Sequence, residues 1–242
     1  MTGETRGSFK RIMLKLSGEV LQDKQSGQSL DARVLNSIAC QIEEIHNMNV
    51  QIGIVVGGGN IFRGMPGEQA GIDRTTGDNM GMLATMINSL ALQAAIETRE
   101  IDTRVMSAID MPKIAEPVIR RRAIRHLEKR RVVIFGAGTG NPYFTTDSAA
   151  ALRASEIRAD LLLKATKVDG IYSDDPVTNP DAELYREVTY SEALQRRLRI
   201  MDAAAFSLCQ ENSIPIIVFN FFKENEMVRI VQGEPVGTLV KD

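Results

Sequence analysis

Residues 52–60, IGIVVGGGN, run a five-residue apolar stretch straight into three glycines and an asparagine. Five residues are too few for a stable helix but suit a strand buried on both faces, which the glycines then end. The same arrangement stands at 12–18, IMLKLSG, and at 132–141, VVIFGAGTGN. Further short apolar runs cover Arg104 to Met106, Leu161 to Leu163 and Ile216 to Phe219. Helical patterns fill most of the intervals. Leu35, Ile38, Ile42 and Ile45 repeat at helical spacing behind a cap at Asp31, and Ser148 to Ile157 and Ser191 to Leu198 read the same way. Such alternation predicts an α/β fold with a mainly parallel sheet covered on both faces. Val168 and Ile171 flank Asp169-Gly170, a two-residue turn signal that predicts a small antiparallel hairpin there.

With 43% hydrophobic and 25% charged residues in 242, and no low-complexity tract, the chain reads as an ordered globule without a linker that would divide it. A net charge of -2 supplies no global field for nucleic acid or anionic lipid, so an anionic ligand must be held by local cations and backbone amides. The first nine residues contain no apolar run fit for a signal sequence, and no later stretch is long enough to span a bilayer. A cytoplasmic protein is the expectation. Cys40 and Cys209 stand far apart without metal-ligand spacing, and both read as core thiols.

Ligands of parallel sheets gather at the carboxyl ends of the strands, which is where the glycines fall. Lys15-Leu16-Ser17-Gly18, Gly57-Gly58-Gly59-Asn60 and Gly136-Ala137-Gly138-Thr139-Gly140-Asn141 therefore predict one shared crevice lined by backbone. A single loop of this kind is commonly just a turn; three that converge point to phosphate binding. The P-loop and dinucleotide fingerprints are absent, as are a protein-kinase catalytic loop and a nucleophile elbow. Lys15 and Arg63 are the obvious cations for phosphoryl transfer, which depends on positioning and charge neutralisation. A phosphate monoester with its second pKa near ~6 is already an anionic acceptor at neutral pH and needs no strong base. His46 and His126 accordingly read as ordinary residues in charged helical stretches. Asp78, Asp147, Asp160, Asp175 and Asp202 are candidates for orienting lysines, reaching ribose hydroxyls or holding hydrated Mg²⁺, and each is equally readable as a cap or turn residue.

Read together, KLSGE (15–19), GGGNIFRG (57–64), GDNMGMLAT (77–85), GTGNPYFTTDSAA (138–150), KATKVDGIYSDDP (164–176), MDAAAF (201–206) and GTLV (237–240) resemble the amino acid kinase family and, within it, the bacterial uridylate kinases. The resemblance runs from about Lys10 to the end. It implies a three-layer α/β/α sandwich forming a single domain over 1–242, and transfer of the γ-phosphoryl group of ATP to UMP with Mg²⁺ held mainly by phosphates and water. Carried over by motif, Lys15, Leu16, Ser17, Gly18, Gly59 and Arg63 would contact the triphosphate, and Thr166, Tyr172 and Asp175 its nucleoside end. Gly58, Asp78 and the run Thr139, Gly140, Asn141, Pro142, Tyr143, Phe144, Thr145 and Thr146 would contact UMP. Asp147 and Asp202 would align the cations and the reacting phosphates. A homohexamer activated by GTP and inhibited by UTP is also implied. The loop Gln22 to Gln28 and the stretch Asp110 to Arg125 depart from the family pattern.

Two other readings compete: a relative that phosphorylates an amino acid carboxylate, and a non-catalytic nucleotide-sensing module. The second could dispense with Lys15 and Arg63, and both are present. The basic stretch Arg120, Arg121, Arg122, Arg125, Lys129, Arg130 and Arg131 reads as a solvated helix face, with no stacking aromatics for a nucleic acid. From Met80 to Ile96 apolar side chains spread around a helix instead of forming one stripe, which predicts cover on a second side by another copy of the chain.

Overall fold

A computed structural model describes residues 9–22, 28–62, 71–174, 176, 178–179, 181–196, 198 and 201–242. In chain order the elements are β1 (Arg11–Leu16), a 3-10 turn (Gly18–Leu21), α1 (Ala32–Asn47), β2 (Gln51–Val56), α2 (Arg74–Glu97), β3 (Thr103–Ser107), β4 (Glu116–Pro117), α3 (Arg120–Glu128) and β5 (Val132–Gly136). There follow α4 (Thr146–Ile157), β6 (Leu161–Thr166), β7 (Glu187–Val188), α5 (Tyr190–Gln195), α6 (Ala203–Glu211), β8 (Ile216–Asn220), α7 (Glu226–Val231) and β9 (Thr238–Val240). The strands form one sheet in the order β4-β3-β5-β2-β1-β6-β8-β9-β7, parallel throughout except where β9 runs against β8.

Strand periodicity sorts the side chains into two cores. Ile12, Leu14 and Leu16 of β1 pack with Ile52, Ile54 and Val56 of β2 beneath α1, α2 and α7. Met13, Val55, Val133 and Phe135 face the other way, under α3, α4, α5 and α6. Burial on both faces explains why these strands read as unbroken apolar runs. α1 begins where expected: the Asp31 side chain accepts from the backbone amides of Arg33 and Val34. Its Ile38, Ile42 and Ile45 are buried, each stabilising the fold by about 1.5–3 kcal/mol relative to exposure.

The hairpin expected at Asp169-Gly170 does not form. Asp169 pairs with Lys223 at 2.6 Å and accepts from Asn220, while Gly170 lies against Thr238 with no room for a side chain. Those long-range contacts override the local turn preference. The antiparallel pairing comes later, as a bridge between Tyr172 and Leu184. Of the two cysteines, Cys209 is buried, but Cys40 is only partly so and lies 2.8 Å from Arg99 Nη2.

The basic stretch turns on its own neighbours. Arg122 pairs with Glu116, Arg131 with Asp102, and Arg120 donates to the Glu156 carbonyl. No helix among the described residues is long and apolar enough to cross a membrane.

Beneath α5 and α6, Tyr190 is fully buried, meets Phe206 edge-on at 4.8 Å and donates its hydroxyl to the Ile214 carbonyl. Tyr190→Phe leaves that carbonyl without its partner and should lower unfolding free energy by about 1–3 kcal/mol. Urea denaturation checks this; an unchanged midpoint and slope would mean the hydroxyl bond contributes nothing net.

Candidate active site

Lys15 and Lys164 stand at paired positions near the carboxyl ends of neighbouring parallel strands β1 and β6. Each alternates with apolar neighbours, so both leave the sheet on the side of Met13 and Leu162, toward α4. There Asp147, in the first turn of α4, lies between them, with Oδ1 2.8 Å from Lys15 Nζ and Oδ2 2.7 Å from Lys164 Nζ. All three side chains are mostly buried. Burial works to raise the Asp147 pKa, but the two ammonium groups outweigh it and hold the carboxyl below its ordinary value. The Lys164 pKa is lowered as well, by burial first, which Asp147 opposes and Lys15 reinforces, and for a lysine that favours the neutral form. The triad holds two basic groups to one acidic one, with Asp202 near enough to act on Lys164.

Asp147 is not a helix cap. Thr145 caps α4, its hydroxyl accepting from the amides of Asp147 and Ser148 at 3.0 and 3.3 Å. Asp202 does cap α6, accepting from the Ala205 amide at 2.8 Å, and its carboxylate also accepts from the Ser148 and Thr145 hydroxyls. The N-termini of two helices are thereby laced together beside the lysines, and the field of Asp202 reaches Lys164.

Two of the glycine loops touch. A Cβ on Gly18 would sit 2.5 Å from Asn60 Oδ1 and 2.7 Å from the Gly57 carbonyl, so only glycine lets the turn after β1 press on the loop after β2. The third loop is braced from the side: the Ala137 amide donates to Thr85 Oγ1 on α2 at 2.8 Å, and Gly140, at φ +81°, lies against the Ala108 carbonyl.

Between α2 and the 138–146 loop lies a cleft with about 570 Å³ of empty space, part of it open to solvent. Gly58, Asp78, Thr139, Asn141, Phe144, Thr145 and Thr146, all assigned to the acceptor by resemblance, line it together with Gly59, which had been assigned to the triphosphate. Gly138 of the third glycine loop lines it too, and so do Phe62, Gly77, Gly81, Met82 and Thr85, which had been given no role. Gly140, Pro142 and Tyr143 belong to the same loop without lining the cleft. Asp78 is not near the helix start: α2 begins at Arg74 behind Asp73, whose side chain accepts from the Thr76 amide. Asp78 instead accepts from the Tyr143 amide at 2.8 Å and from Arg74 Nε at 2.9 Å, tethering the 138–146 loop to α2.

On the other side of the lysines, Leu16 is buried in the core, leaving only its backbone for a ligand, and Ser17 precedes the 3-10 turn. The Thr166 hydroxyl is engaged by the Val168 and Phe219 carbonyls, and Tyr172 pairs with Leu184. Arg63 and Asp175 lie outside the described residues. Lys164 was missed as a site residue, although a lysine closing the run Leu161-Leu162-Leu163 repeats the context of Lys15 after Leu14.

Glycine loops and two buried lysines thus gather at the carboxyl ends of a doubly covered parallel sheet, an arrangement suited to phosphoryl transfer. The chain belongs to the amino acid kinase family, whose profile matches residues 10–220. Over 236 residues, 98% of either chain, it is 53% identical to a uridylate kinase of Methylococcus capsulatus. The crystal structure of UMP kinase from Bacillus anthracis superimposes with a TM-score of 0.95 at 42% identity, covering 98% of this chain and 97% of that one. UMP kinase from Ureaplasma parvum gives 0.91 at 42% identity, with 96% and 99% covered.

Because the folded-state pKa of Asp147 lies below its unfolded value, its contribution to stability is present above the ordinary carboxylate range and is lost as pH falls through the lowered value. Asp147→Asn should therefore be less stable than wild type at neutral pH, and the gap should close below about pH 4, where an unfolded aspartate takes up its proton. Thermal melts of both proteins across pH 2.5 to 7 test this; a gap that persists unchanged to the acid end would remove the charge from the explanation.

Proposed function

We propose that the chain transfers the γ-phosphoryl group of ATP to UMP, giving UDP and ADP. UMP lies in the cleft between α2 and the 138–146 loop, and the triphosphate lies over Lys15, Lys164 and the glycine turns at 15–18 and 57–59. The observation that carries this reading is the buried Lys15–Asp147–Lys164 triad opening beside that cleft. A UMP phosphate oxygen attacks the γ-phosphorus, the bond to the β,γ-bridging oxygen breaks, and ADP departs with the electron pair. Lys15 and Lys164 offset the negative charge that crowds the γ-phosphoryl group, while Asp147 holds their ammonium groups in place. Asp202 fixes the starts of α4 and α6 around them. Arg63 would add a further cation, and Tyr172 and Asp175 would hold the nucleoside end of ATP. Thr166 shapes that end through its backbone bonds.

Mg²⁺ fits as a companion of the triphosphate. Both Asp147 oxygens face lysines, and among the described residues no three acidic, His or Cys side chains cluster as a metal cage. A small hard cation such as Mg²⁺ binds triphosphate oxygens and keeps several of its waters, so it could enter with ATP. Bound there, it would neutralise β- and γ-oxygens.

One sheet runs through both substrate regions, which supports a single domain over 1–242. A cytoplasmic role in pyrimidine nucleotide synthesis follows from the reaction. A homo-oligomer fits the outer face of α2, where Met80, Leu83, Ile87 and Leu90 are 37%, 51%, 49% and 37% exposed; its size, a hexamer, and its effectors, GTP as activator and UTP as inhibitor, rest on the family resemblance alone.

The reaction is tested by coupled ADP release with ATP, Mg²⁺ and, in turn, UMP, CMP, AMP, GMP and several amino acids. UMP should give the fastest turnover, and turnover driven by an amino acid instead would defeat the proposal. Lys15→Ala should remain folded and lose on the order of a hundredfold or more in kcat; near-normal turnover would take Lys15 out of the mechanism.

Light scattering across a concentration series tests the assembly. Wild type should scatter as an oligomer, and Leu83→Glu and Ile87→Glu should dissociate it. A wild-type mass of one chain at micromolar concentration would end the idea, and intact assemblies in both variants would place the contact elsewhere.

A further inference from the structure

The inner face of α2 carries a buried polar ladder that the cleft residues alone do not account for. Thr85, Asn88 and Ser89, spaced to share one side of the helix, are almost wholly out of solvent. Asn88 is fully buried, and its amide donates to the Gly57 carbonyl at 2.6 Å and to Asn60 Oδ1 at 2.7 Å. The Asn60 amide answers by donating to Asn88 Oδ1 at 3.1 Å and to the Ser29 carbonyl at 2.6 Å. The two amides thus pair head to tail, one on the helix and one on the loop.

Burying a side-chain amide is unfavourable unless its bonds are made, and an apolar residue would serve better if filling space were the only need. Here the bonds end on a loop whose position has no slack. Gly57 and Asn60 bracket Gly58 and Gly59, which line the cleft, and the loop's other side is pressed against Gly18. One turn earlier on α2, Thr85 grips the Ala137 amide of the 136–141 loop. A single helix face therefore sets the spacing between the loop beside the triphosphate and the loop beside the acceptor.

We propose that Asn88 is a positioning residue for phosphoryl transfer. It touches neither substrate but clamps the Gly57–Asn60 loop so that the two phosphates meet in line. The assignment rests on the UMP kinase reading for its chemistry and on the hydrogen bonds alone for the clamp. Misplacing reacting groups by about 1 Å is enough to cost on the order of a hundredfold in rate.

Asn88→Leu keeps the branching of the side chain, in a bulkier form, and removes the bonds; Asn88→Asp keeps the shape but sets a carboxylate against the Gly57 carbonyl. Asn60→Ala cuts the clamp from the loop side, where folding is least at risk. Each is assayed for kcat and for KM toward UMP and ATP, per folded molecule, and again on cooling well below its melting transition. The expected result is a fall in kcat of about tenfold or more that cooling does not restore, with hydrogen exchange of the 57–60 amides faster than in wild type. A merely structural asparagine predicts a lower melting temperature with kcat within twofold of wild type once the protein is folded, and that result overturns the proposal. If both Asn88 variants fail to fold, Asn60→Ala decides by the same criteria. Should wild type show no UMP-dependent turnover, the UMP reading falls, and unchanged 57–60 exchange in the variants would still sink the clamp.

Discussion

Two lysines facing each other on neighbouring parallel strands, with one carboxylate between them, set the terms for the rest of this molecule. Lys15 and Lys164 are register partners in β1 and β6. Side by side and largely buried, two ammonium groups repel and lose hydration, and neither is tolerable alone. Asp147 relieves the repulsion, and it can do so only because α4 starts at the carboxyl end of the sheet, on the same side as both lysines. A slip of one residue in the pairing of β1 and β6 would send one lysine into the opposite core. The uninterrupted apolar strands, the Thr145 cap and the Asp202 contacts with Ser148 all act to hold that register and that helix start.

Much of this was legible because each strand is buried on both faces. Short apolar runs, three of them ending in glycine, located the six principal strands to within a residue or so at most ends, and Asp31 located the start of α1. β4 and β7, two residues each, leave no pattern to read. The Asp169-Gly170 turn signal failed because the partners that claim Asp169 and Gly170, namely Lys223, Asn220 and Thr238, are more than 50 residues away. Asn88 and Thr85 were invisible for a related reason: a polar residue on a helix looks solvent-facing until the loop it bonds is folded against it. The motifs, by contrast, carried Asp147, Asp202 and the 139–146 run together, since their meaning lies in the combination.

α2 has two opposed faces with different tasks. Its inner side presents Thr85 and Asn88 to two active-site loops, while its outer side leaves Leu83 and Ile87 about half exposed. A partner on the outer side could influence the loops only by binding two arrangements of the helix with unequal affinity. The buried amide pair sharpens that condition, because a shift of α2 along its axis must break bonds to Gly57 and Asn60 rather than stretch them gradually.

The reaction also explains what the site does without. The chain's two histidines are engaged elsewhere, His46 near the Arg130 carbonyl and His126 between Glu116 and Arg131. An acceptor phosphate is already ionised near neutral pH, so the obstacle is the mutual repulsion of two anions, not the removal of a proton. Positive charge in a partly desolvated site opposes that repulsion more strongly than it could in water. Burial, with a smaller contribution from Lys15, holds the pKa of Lys164 below its ordinary value. On the proposed placement of the triphosphate, a phosphoryl group beside Lys164 would raise its proton affinity, so that protonation of this lysine and phosphate binding would favour one another.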